Sequence, residues 1–132
     1  MADIDKVALL VVREGRILLC RKRHTTSLLI LPGGRREPGE TSRECLTREL
    51  QEELGEVAAE GLEYIGTYID AAAGESTKTV RIELYCGRLR GEPQAHSEIR
   101  ELVWFGAEGD ESLLAPSLRN KILPDLRRRG LL

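Results

Sequence analysis

Residues 33–57 read GGRREPGETSRECLTRELQEELGEV. Thr41 and Glu44 stand three positions apart, ahead of an apolar period. In that arrangement a hydroxyl at the helix N-cap and a glutamate at N3 satisfy one another's backbone N–H groups. The pair predicts a helix running from Thr41 to about Leu54, with Gly55 as its stop. Leu46, Leu50 and Leu54 recur every four residues and give that helix one apolar stripe. Glu49, Glu52 and Glu53 occupy positions i, i+3 and i+4, so their carboxylates project over one another. By angular count Glu53 borders the leucine stripe, and Glu49 and Glu52 lie progressively further round. Like charges at this spacing cost a few tenths of a kcal/mol. Arg48, four residues after Glu44 and four before Glu52, offsets part of that repulsion. A hard divalent cation offsets the rest, because Mg²⁺ and Mn²⁺ take oxygen ligands. The competing reading is a solvated Glu/Arg helix face.

Working outward, Val7–Val12 and Arg16–Cys20 read as two strands joined by a tight turn at Arg13-Glu14-Gly15. Leu28–Leu31 is a short buried strand stopped by Pro32-Gly33-Gly34, and the two glycines let backbone approach a ligand closely. Beyond the helix, 62–69, 77–89 and 102–105 read as strands. The tail from Ser112 to Arg129 reads as helical, with Pro116 and Pro124 each opening a turn. The order β-β-β-α-β-β-β-α implies a mixed sheet with helices packed against it, an α/β (α+β) sandwich. At 132 residues the expectation is one domain over 1–132.

Twenty Lys+Arg against 22 Asp+Glu leave a net charge of −2, which argues against the strongly basic surface of a nucleic-acid-coating protein. The total hides a concentration: seven glutamates fall between Glu37 and Glu56. Three widely spaced cysteines form no CxxC or Cys/His cluster, so neither thiolate zinc nor a disulfide framework is expected. The longest apolar run, VALLVV, is far below a membrane span, and the acidic MADID start is unlike a secretory leader. A cytoplasmic protein without membrane attachment is the expectation.

The full spacing is Gly34, five residues, Glu40, seven residues, then Arg48-Glu49-Leu50-Gln51-Glu52-Glu53-Leu54-Gly55. It resembles the signature of the Nudix hydrolases, GX5EX7REUXEEXGU with U aliphatic, here spanning 34–56. One position departs, since Glu56 takes the final aliphatic place with Val57 directly after it. The resemblance implies an α/β/α sandwich with a mixed sheet. It also implies hydrolysis of a nucleoside diphosphate linked to another group, with Mg²⁺ or Mn²⁺ as cofactor. Carried over by position, it implies Glu52 and Glu53 as principal metal ligands, Glu49 as ligand or general base, and the Gly33 carbonyl as a further ligand. Arg48 and Glu40 are implied as the pair that orients the helix carboxylates.

Some family branches draw the base from a Glu ahead of a later Trp. Glu98 and Glu101 precede Trp104 here, and Glu98 is favoured because it lies in the polar connection AHSEIRE. Arg21 and Arg23, two residues apart on one strand, are candidates for substrate phosphates. Gly34 is a candidate backbone contact to substrate, and Asn120 a candidate for a base edge. The segment Ala71-Ala72-Ala73-Gly74 lacks the proline and tyrosine that accompany ADP-ribose and dinucleoside-polyphosphate hydrolysis in the family. The expected substrate is therefore a (deoxy)nucleoside triphosphate releasing pyrophosphate, as in the MutT-like branch. The alternatives are ADP-ribose, nucleotide sugars, dinucleoside polyphosphates, or a non-catalytic nucleotide-sensing module. The expected partner is a small-molecule nucleotide, with no stable nucleic-acid binding, and the chain is a monomer or homodimer.

Overall fold

A strand buried on both faces loses the polar alternation that would tell one sheet neighbour from another, and the first strand is of this kind. In the computed structural model, which describes residues 2–132, β1 (Ile4–Leu10) is buried without interruption from Val7 to Leu10. It pairs in parallel with β7 (Glu75–Arg90) and antiparallel with the three-residue β5 (Gly33–Arg35). The long β6 (Ala58–Ala72) closes this sheet on the far side of β7, giving the order β5-β1-β7-β6. A second sheet is antiparallel: β3 (Arg16–Lys22) pairs with β2 (Val12–Arg13), with β4 (Leu29–Ile30) and with β8 (Ile99–Phe105).

This corrects the hairpin expected from Val7–Val12 and Arg16–Cys20. The tight turn joins only β2 to β3, while β1 lies in the other sheet. Both runs are apolar on both faces, so periodicity carries no information about which partner each one takes. The strand β5 was not expected either, because two glycines present no side-chain pattern at all.

Helix α1 (Ser42–Leu54) begins where the capping box places it. Thr41 accepts from the Glu44 N–H, and the Glu44 carboxylate accepts from the Thr41 N–H at 2.9 Å. Gly55 caps the other end by donating to Gln51. Glu56 is exposed and Val57 is buried against the helix, so Val57 supplies the anchor that the departing signature position lacks.

The two faces of β1 feed two cores. Ile4, Ala8 and Leu10 pack with Ile82, Leu84 and the C-terminal helical segment, whereas Val7, Leu9 and Val11 pack with Leu46, Leu50 and Leu54 of α1. Every shift of β1 would therefore move both layers.

The tail is helical in pieces: a 3₁₀ turn (Glu111–Leu113), a π-helical turn (Leu118–Ile122) and α2 (Leu123–Arg128). In the π turn the Leu123 N–H reaches the Leu118 carbonyl. Pro124 has no N–H for the Asn120 carbonyl, which removes one rung of the ordinary ladder and favours the wider turn. Among the described residues no helix is long and apolar enough to cross a membrane.

Leu50 is fully buried between α1 and β1. Truncating it in Leu50→Ala should cost about 2–5 kcal/mol. In urea denaturation the midpoint should fall with the slope unchanged; an unaltered midpoint would contradict this packing.

Candidate active site

Arg48 is the hub of the signature loop and helix. Its guanidinium donates from Nε to Glu40 Oε2 at 2.7 Å and from Nη2 to Glu40 Oε1 at 2.9 Å, a fork-to-fork pair. The same group donates to Glu49 Oε1 at 2.8 Å and to the Arg35 carbonyl at 3.0 Å. Glu37 and Glu52 lie within looser ion-pair range, each at 3.6 Å. One cation thus ties the end of β5, the loop before α1 and the middle of α1 together. The hydrogen bonds from Arg48 hold the Glu40 carboxyl down at about 2, and Glu40 in turn raises Arg48.

Glu53 is the opposite case. It is only 8% exposed and accepts one hydrogen bond, from the Gly33 N–H at 2.9 Å. Among the described residues it has no cation at ion-pair distance. Burial pushes its carboxyl up to about 7, the Gly33 N–H opposing and the neighbouring Glu49 adding. Burial also raises Glu49, with the Arg48 hydrogen bond opposing. Glu52 is exposed.

The glycines of β5 are dictated by this packing. Gly33 has φ +141° and a side chain there would run into the Val7 carbonyl. At Gly34 a side chain would collide with the Glu49 carboxylate. The backbone can therefore lie against both carboxylates only where no Cβ exists.

These groups open onto a cavity of about 510 Å³ between the two sheets. Its rim carries Glu49, Glu53, Glu75, Glu98, Lys6, Lys22 and Arg35, with Arg35 ion-paired to Glu75 at 4.0 Å, and its buried floor is aliphatic, from Ile4, Val80, Ile82, Leu118 and Ile122. Among the described residues no aromatic side chain lines it. Gly33 and Gly34 also lie on the wall.

Of the residues singled out in the sequence, the structure brings Gly33, Gly34, Glu49, Glu53 and Glu98 to this cavity, with Arg48 immediately behind. The loop holding Glu98 is fastened to the end of α1, because Gln94 and His96 donate to the Leu54 and Glu53 carbonyls. Glu101 is instead ion-paired with Arg21, whose Nε also donates to the Ser27 carbonyl. Arg21 and Arg23 do not line the cavity. Arg23 donates to the Ser97 carbonyl and so braces the Glu98 loop from outside. Asn120 is exposed, bonded to Asp70, and also outside the lining, although its neighbours Leu118 and Ile122 are part of it.

The cations that do line the cavity are Lys6, Lys22 and Arg35. Lys22 lies on the face of β3 opposite Arg21 and Arg23, the face it shares by alternation with Leu18 and Cys20. Lys6 left one signal in the sequence: it is the single charge on the β1 face otherwise formed by Ile4, Ala8 and Leu10.

The donor set at the rim suits a hard cation. The candidate ligands are all oxygens, and Glu53 is a buried carboxylate without a charge partner, which Mg²⁺ or Mn²⁺ would satisfy. Among the described residues no three His, Cys, Asp or Glu side chains already converge as a metal cage.

Comparison with known proteins gives a consistent picture. The NUDIX domain family profile matches residues 4–125. Over 114 residues the chain is 35% identical to the CTP pyrophosphohydrolase of Escherichia coli (strain K12), covering 82% of this chain and 79% of that protein. It is 31% identical to the NAD-capped RNA hydrolase NudC of Pseudomonas putida (strain GB-1), covering 92% of this chain but only 44% of that longer protein. Among solved structures, the E. coli ORF135 protein is similar with a TM-score of 0.71 at 31% identity, covering 96% of this chain and 91% of that one.

The raised Glu53 carboxyl has a consequence for stability. The folded state binds its proton more tightly than the unfolded chain does, so stability falls as pH rises from 4.5 through about 7. Metal-free Glu53→Gln removes that loss. The variant should match the wild type below pH 4.5 and exceed it by on the order of 2–3 kcal/mol above pH 7. Thermal melts across this range check it, and a variant less stable at pH 8 would contradict the assigned environment.

Proposed function

This chain belongs to the NUDIX domain family, and on that premise we propose that it is a divalent-metal-dependent pyrophosphohydrolase that cleaves a nucleoside triphosphate to the monophosphate and pyrophosphate. The observation that carries this reading is one cavity wall holding both anions and cations: Glu49, Glu53 and Glu98 beside Lys6, Lys22 and Arg35, above an aliphatic floor. A nucleotide has the matching polarity, a phosphate chain for the rim and a base for the floor. CTP is the first substrate to test, because the E. coli relative is a CTP pyrophosphohydrolase and similarity to it runs over most of both chains.

Glu49 and Glu53, with Glu52 and the Gly33 carbonyl, would hold Mg²⁺ or Mn²⁺. The bound ion would neutralise phosphate charge and acidify a coordinated water. Arg48 keeps Glu49 turned toward the cavity, and its fork-to-fork bond with Glu40 keeps Arg48 itself from swinging away. Gly33 fixes one oxygen of Glu53 and leaves the other for the ligand. Glu98, on the rim and without a cationic partner among the described residues, takes the proton of the attacking water at its carboxylate. Aliphatic contacts, without aromatic stacking, hold the base.

A substrate panel with products identified by mass tests the reading: CTP, the other ribo- and deoxyribonucleoside triphosphates, ADP-ribose, a nucleotide sugar, a dinucleoside polyphosphate and NAD. With Mg²⁺, CTP or a close analogue should give the monophosphate and pyrophosphate. Glu53→Gln and Glu98→Gln should each lower kcat by about 10²–10⁴ while remaining folded. A Glu53→Gln enzyme at the wild-type rate sinks the proposal. Preferential cleavage of NAD would move the chain toward the NudC relatives, and tight nucleotide binding without turnover would make it a sensing module.

A further inference from the structure

Lys6 is an unusual residue for its position. On β1 it shares a face with Ile4 and Ala8 and stands in register with Ile82 of β7 on one side and Arg35 of β5 on the other, so it is bordered by aliphatic side chains and a like charge. It is half-buried, lines the cavity, and makes no hydrogen bond or ion pair among the described residues. Burial and the nearby Lys22 pull its ammonium down to about 8, with Arg35 adding and Glu53 and Glu49 opposing. A partly desolvated charge without a partner weakens a fold. A residue that costs stability in this way fits a place where it meets a ligand.

The class of ligand follows from its neighbours. Arg35 is ion-paired with Glu75 at 4.0 Å, which leaves Lys6 and Lys22 as the lining cations without an ion pair among the described residues, and a neutral acceptor on a base or sugar would leave their mutual repulsion in place. A phosphate relieves it. Position along the cavity then selects which phosphate. Along this face of β1, Ala8 is in register with Gly33, which donates to Glu53, Ile4 is in register with Val80 of the aliphatic lining, and Lys6 stands between Ala8 and Ile4.

We propose that Lys6 is a substrate-positioning residue that grips the phosphate attached to the nucleoside, at the junction between the carboxylate rim and the aliphatic floor. The proposal rests on the pyrophosphohydrolase reading, and it separates the two products: the nucleoside monophosphate keeps the Lys6 contact and the released pyrophosphate does not.

The test is calorimetric titration of CMP and of inorganic pyrophosphate into wild type, Lys6→Met and Lys6→Arg, alongside thermal melts. Lys6→Met should weaken CMP binding at least tenfold and leave pyrophosphate binding within about threefold. Its melting temperature should equal or exceed that of the wild type, since methionine fills the aliphatic surface without a charge. Lys6→Arg should restore most of the CMP affinity. Unchanged CMP affinity in Lys6→Met overturns the proposal, as does an equal loss for both anions. A loss accompanied by a lowered melting temperature and no rescue by arginine overturns it too, by making Lys6 structural. A wild-type protein that turns over no nucleotide of the substrate panel refutes the pyrophosphohydrolase reading itself, and one that turns over CTP yet binds CMP no more weakly as Lys6→Met overturns only the role of Lys6.

Discussion

Several carboxylates crowd one side of α1 and the loop before it, and the guanidinium of Arg48 orients them and offsets part of their repulsion. It is bonded to Glu40 by a double hydrogen bond, to Glu49 by a single one and to the Arg35 carbonyl by another. Each contact lies on a different element, so the same group that orients the charges also docks the loop onto the helix. The rest follows from this constraint. The capping box fixes where α1 begins, and hence where Arg48 falls relative to Glu40. Gly33 and Gly34 let β5 come close enough for Glu49 and Glu53 to reach the cavity. Leu46, Leu50 and Leu54 hold the adjoining side of the helix against β1.

The two carboxylates most firmly placed by the fold show how pairing and burial pull in opposite directions. Glu40 faces a guanidinium and is held ionised down to about 2. Glu53 faces only one backbone N–H and is pushed up to about 7. The first is a structural anion whose charge is already answered within the chain. The second is an anion in want of a cation near neutral pH, which is the property a metal ligand needs. Similar side chains are thus given different work by what surrounds them.

The parts of the structure legible in the sequence are those with local rules. Thr41, Glu44 and Gly55 mark the helix ends, and the spacing of Glu40 and Arg48 marks the signature. The parts that were not legible depend on long-range pairing. The buried runs around Leu9 and Leu18 fall in different sheets, and nothing in their composition distinguishes one neighbour from the other. Gly33–Arg35 becomes a strand only because β1 offers it an edge. The cationic side of the cavity was hardest to read. Alternation along β3 separates Arg21 and Arg23 from Lys22 without saying which face meets the cavity, and Lys6 arrives from another sheet.

The near-zero net charge is therefore a balance of local imbalances: acids on α1 and its loop, cations across the cavity, and one arginine pinning the acids in place. The most direct test of that arrangement is a double-mutant cycle on folding stability with Arg48→Met, Glu40→Gln and both together. The structure predicts strong non-additivity, because either change breaks the same double hydrogen bond. The double variant should unfold at the midpoint of the weaker single variant. Losses that simply add would show that Arg48 and Glu40 act independently and would contradict the account.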